Sequence, residues 1–79
     1  MIVFVHHHKT RPSFYRVDVG YNLFGEYSVV REWGNNNGRR CVHRISWFSN
    51  LREAVLEADK LQTEVRAKGY DLTLQQIAA

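Results

Sequence analysis

The apolar residues of this chain change their spacing at Leu51, and that change limits the folds open to it. In Tyr15, Val17, Val19 and Tyr21 they recur at every second position with Arg16 and Asp18 between them, as in a strand with one face on a core and the other toward water. The same period of two runs through Tyr27, Val29, Arg31 and Trp33, and again through Cys41, His43, Ile45 and Trp47. From Leu51 the spacing becomes three and four. Leu51, Ala54, Val55, Ala58, Leu61, Gln62 and Val65 share one helical stripe, and Arg52, Glu53, Glu57, Lys60 and Glu64 fall elsewhere,. Strands followed by one long helix predict an α+β domain, an antiparallel β-sheet with the α-helix packed on one face.

Turn and cap residues place the boundaries. A first strand is expected over 14–21, a second from Tyr27, and a third from about Arg39 to Phe48. Gly34-Asn35-Asn36-Asn37-Gly38 is the expected turn between the last two, because Gly and Asn tolerate positive φ. Asn50, with Glu53 three positions on, fits a helix N-cap, and Gly69 fits a left-handed helix end. Trp47 and Phe48 read as core, and Cys41 and His43 as buried packing. Ile2–Val5 is β-prone and reads as an unprotected segment, while Tyr70, Leu72 and Leu74 alternate as a short edge strand would. The sheet face away from the helix must be polar, or must bind something.

With 79 residues, 44% hydrophobic and 24% charged, the chain can bury one core, and we expect one domain over 1–79 rather than disorder. A single cysteine, Cys41, forms no internal disulfide and points to a reducing, cytoplasmic setting. The apolar run at the start stops at His6, too short for a signal core or a membrane span. The net charge of +3 is uneven. Residues 1–48 carry seven Lys or Arg against three acids, and residues 49–79 carry four against five. Such asymmetry favours a polyanionic partner.

Chemistry-bearing constellations are sparse. His6, His7 and His8 lack the Cys or carboxylate spacing that completes a zinc site, so no metal is expected. Neither a phosphate-binding Gly-rich loop nor a carboxylate pair is present, so no catalytic residue, cofactor or small-molecule substrate is expected. Arg39, Arg40 and Arg44 form the densest basic cluster, with Arg40 and Arg44 on one strand face.

At Trp33 the chain resembles a known family. Phe14-Tyr15-Arg16, the strand Tyr27-Ser28-Val29-Val30-Arg31-Glu32 running into Trp33-Gly34, then Gly38, Phe48-Ser49-Asn50-Leu51-Arg52-Glu53-Ala54 and the helix exit Lys68-Gly69-Tyr70 follow the order of a WGR domain. This module is found in poly(ADP-ribose) polymerases and in many small bacterial proteins. The resemblance, over about 14–70, implies a non-catalytic DNA-binding module in which the motif tryptophan stacks on a terminal sugar or base and basic side chains hold phosphates. By position Trp33 takes the stacking role and Gly34 lets the backbone turn. Asn35 stands where the family has arginine and brings a hydrogen-bond donor without charge. Arg31, Arg39, Arg40 and Arg44 are the candidates to supply that charge. Backbone recognition on duplex DNA or at strand ends, through a basic sheet face, is therefore the expected function. The alternative is a protein-interaction module docking a partner on the same face, and a homodimer through an edge strand at Ile2–Val5 is a third possibility.

Overall fold

In a computed structural model describing residues 1–36 and 41–77, the element order is β1 (Ile2–His8), β2 (Ser13–Tyr21), β3 (Tyr27–Asn35), β4 (Cys41–Phe48), α1 (Leu51–Ala67) and β5 (Tyr70–Ile77). The strands form one sheet in the order β4-β3-β2-β1-β5, antiparallel throughout. α1 covers one face of it, as the change of spacing predicts. No helix among the described residues is long and apolar enough to cross a membrane.

Ile2–Val5 is not an unprotected edge. β1 runs on to His8 and lies inside the sheet, between β2 and β5, because β5 is longer than its alternating residues suggest and supplies the missing partner. A register shift between Val5 and His6 accommodates β5. The three histidines therefore do not form an exposed terminal tract: the His6 side chain is fully buried beneath α1.

Residues facing α1 form the core: Val17, Val19 and Val29 from the sheet meet Ala54, Ala58 and Leu61, with Ile2, Phe4, Tyr15, Tyr27 and Phe48 around them. Alanine at 54 and 58 lets the helix approach closely, which leaves Leu51 and Val55, expected on the buried stripe, exposed at its margins. Asn50 caps the helix as expected, its Oδ1 accepting from the Glu53 N–H at 2.9 Å, an interaction that contributes about 1 kcal/mol. Gly69, at φ 96°, ends it, and the N–H groups of Lys68 and Gly69 donate to the carbonyls of Val65 and Arg66.

β4 departs from expectation in parity. Its register with β3 pairs Arg44 with Arg31 and Phe48 with Tyr27, so Val42, Arg44, Ser46 and Phe48 face the helix side. Cys41, His43, Ile45 and Trp47 lie on the opposite, uncovered face. Phe48 is core as expected, but Trp47 is 51% exposed and Cys41 and His43 are exposed rather than buried. α1 lies on the other face of the sheet, so among the described residues no second layer covers that set. Of the expected glycine turn, Gly34 and Asn35 are strand residues, Gly34 pairing with both Phe14 and Cys41, so Gly34 does not turn the backbone, and Asn37 lies outside the described residues. Gly38, Arg39 and Arg40 lie outside the described residues.

Candidate nucleic-acid interface

α1 begins beside β4, at the sheet end carrying Tyr27 and Phe48, and finishes at the opposite end near β5, where the Gly69 carbonyl accepts from the Lys9 N–H at 3.1 Å. It thus crosses the sheet diagonally and leaves two opposite corners of the helix side open. One corner belongs to β3 and β4, and there the cross-strand pairs Arg31 with Arg44 and Trp33 with Val42 stand beside the helix.

Trp33 is half-buried, not entombed. Its indole lies nearly parallel to the Tyr15 ring, with centroids 5.7 Å apart and planes 11° apart, because β2 and β3 pair these two residues directly. The Arg31 guanidinium carbon sits 5.5 Å from the centre of the indole, within reach of a cation–π attraction. Burial pushes the Tyr15 hydroxyl up from its ordinary pKa, and the hydrogen bond and charge of Arg31 oppose that. The phenol therefore stays protonated at neutral pH and can donate a hydrogen bond.

Tyr15, Arg31 and Trp33 form the sheet wall of a groove of about 210 Å³, and Glu64, Val65, Lys68 and Tyr70 form the other wall. Tyr70 meets Tyr15 edge-on at 6.4 Å. The groove thus joins three aromatic rings to two cations, with one carboxylate among them. Rings of this kind offer faces to bases and sugars, and cations offer partners to phosphates.

Of the residues singled out from sequence, Trp33, Arg31 and Arg44 share this corner. Asn35 is exposed on the same strand face one step further along β3. Gly34, by strand alternation, points to the other side of the sheet, and Arg39 and Arg40 lie outside the described residues. Arg31 and Arg44 therefore face the helix side, beside α1, and not the uncovered face. Tyr15, Glu64, Lys68 and Tyr70 complete the groove without having been singled out as site residues. Tyr15 was legible as a core-facing strand residue, but its contact with Trp33 depends on the hairpin register. Lys68 and Tyr70 stood in the helix-exit motif without an assigned role.

The histidines diverge. His6 points into the core, His7 Nδ1 lies 2.6 Å from Thr73 Oγ1, and His8 Nδ1 accepts from the backbone N–H groups of Thr10 and Arg11 at 3.1 Å each. Among the described residues no group of three or more His, Cys, Asp or Glu is arranged to hold a metal ion.

No curated protein and no solved structure matches the chain. The family model of the WGR domain matches residues 1–76. With a match across nearly its whole length, the chain belongs to the WGR domain family, whose members are in general nucleic-acid-binding modules and not catalysts.

Proposed function

We propose that this chain is a single-domain DNA-binding module that grips the phosphate backbone, and an exposed strand end where one is present, at the β3–β4 corner. The observation that carries this reading is the grouping of Trp33, Arg31 and Arg44 on one open surface, continuous with the groove of Tyr15, Lys68 and Tyr70. Tyr15 takes one face of the indole, and Arg31 lies over the ring. A terminal base or sugar stacking on Trp33 would displace the guanidinium and free it for a phosphate. Asn35 contributes a donor at the rim, and the charge comes from Arg31 and Arg44 on the sheet and Lys68 on the helix.

Fluorescence titration with blunt, nicked and single-stranded DNA at two salt concentrations tests this. Affinity should fall with salt at a slope near −0.9 per phosphate contacted on duplex DNA. Trp33→Ala should weaken end binding by roughly 1–3 kcal/mol, the usual worth of one stacked base, while changing internal duplex binding less. Salt-independent binding, or an unchanged affinity for ends, would remove this reading.

A second reading, a protein partner on the same corner, draws support from Glu57 and Glu64, whose charges reach Tyr15 from α1 and repel a polyanion laid across the helix. Capture of a partner that survives nuclease treatment would favour it, and loss of every partner on nuclease treatment would end it.

A further inference from the structure

The second open corner lies diagonally opposite, and its chemistry is different. Ile2, Phe4 and Val19 on the sheet and Val55, Ala58, Asp59 and Gln62 on α1 line a mainly apolar groove of about 120 Å³. Ile77, paired with Ile2 on the edge strand, lies exposed at its rim. At the same end of the sheet β2 leads from Tyr21 into a loop whose Leu23 and Phe24 side chains are 98% and 87% exposed.

Two large apolar side chains so fully in water would ordinarily fold back onto the sheet, but this loop is held rigid. Asn22 Oδ1 accepts from the N–H groups of Phe24 and Glu26 at 2.9 and 3.1 Å, the Asn22 N–H donates to the Glu26 carbonyl at 3.0 Å, and Asn22 Nδ2 donates to Glu26 Oε1 at 3.0 Å. Gly25 supplies the positive φ of 78° that closes the turn. The tip is therefore ordered in advance, and inserting it into a pocket loses little conformational freedom.

We propose that Leu23 and Phe24 form a knob that seats in the apolar groove of a second copy of this chain, giving a dimer through reciprocal exchange. Knob and groove sit at the same end of the molecule, as a two-fold interface requires, where each copy must offer both halves of the contact. One flanking pair of charges matches, the tip carrying Glu26 and Arg52 lying one turn before Val55 on the same edge of α1 by helical spacing, whereas Asp59 in the groove wall has the sign of Glu26,. The opposite, basic corner stays free in such a dimer, so the pairing is independent of the nucleic-acid reading.

Sedimentation equilibrium over a range of protein concentrations tests the proposal, with Phe24→Ser as the first variant and Val55→Glu as the second. Both positions are exposed, so folding can be checked separately by thermal melting. The wild type should dimerise, and either variant should raise the dissociation constant by about tenfold or more, the loss expected on withdrawing a buried phenyl or valine side chain. In a mixture of isotope-labelled and unlabelled protein, the Phe24 ring of one copy should show NOE contacts to the Val55 methyl groups of another. A chain that stays monomeric at every concentration, a dimer indifferent to Phe24→Ser, or the absence of those contacts in a dimer would each overturn it.

Discussion

Replacing His6 with leucine is expected to raise the unfolding free energy by about 1–3 kcal/mol and to flatten its dependence on acid. Among the described residues, neither ring nitrogen of this fully buried side chain has a hydrogen-bond partner. A buried polar atom without a partner costs about 1–3 kcal/mol, and leucine would fill the site without that cost. Burial lowers the His6 pKa from its ordinary value, and the charges of Arg66 on α1 and of neighbouring His7 lower it further, while Asp71 on β5 acts in the opposite sense. Tyr15, its partner on β2, stays uncharged at neutral pH. His6 is thus neutral when folded and takes up a proton more readily when unfolded, near pH 6.5. The native state therefore keeps its full stability above about pH 6.5 and loses up to about 1.4 kcal/mol per pH unit below it, until the folded-state pKa is reached. Urea melts of both proteins between pH 4.5 and 7.5 check this. A parallel pair of pH profiles, or a leucine variant weaker than wild type, would refute it.

Gly69→Ala should cost about 2–3 kcal/mol and lower the melting temperature by roughly 10–20 °C. A left-handed φ of 96° already strains any residue with a Cβ, and a Cβ placed there would lie only 2.9 Å from His8 Nε2. The imidazole cannot simply swing aside, because its Nδ1 holds the backbone of Thr10 and Arg11 and its ring meets Tyr70 edge-on at 5.1 Å. The histidine also supplies the means of separating the two causes. In His8→Ala the steric part disappears and only the φ strain remains, so the double variant should lose less than the two single losses added together. Tyr70 follows Gly69 directly and lines the groove, so the alanine variant should also weaken the DNA binding proposed for that corner. Thermal melts of the four proteins, read beside one titration with blunt duplex, give both measures.

Much of this architecture was legible in the chain, because period-two and period-three-to-four spacings report which face of an element meets a core. Asn50 and Gly69 marked the helix ends through chemistry that is local to each. What could not be read depended on pairing between distant segments. Nothing near Ile2 announces that Ile77 lies beside it, so the interior position of β1 was missed. The parity of β4 failed for a related reason: Val42 and Ile45 are equally apolar, and only the match of Phe48 with Tyr27 decides which set faces the helix. Arg31 and Trp33 were legible as one strand-face set by alternation, but Arg44 joins them only through the register of β4, and the groove that Arg31 and Trp33 share with Lys68 and Tyr70 exists only because the helix crosses diagonally and ends there.

The place of β1 between a near neighbour and a remote one also bears on how the molecule assembles. Its ladder with β5 joins residues 62 to 75 positions apart, whereas the β2–β3 hairpin closes over as few as six. By the usual logarithmic dependence on loop length, the longest closure costs about 2 kcal/mol more than the shortest. The meander of β2 and β3 can form as a local event, and the last ladder joins the two ends of the chain only after the helix has brought them together. A strand interior to the finished sheet is thus the one whose second partner arrives last.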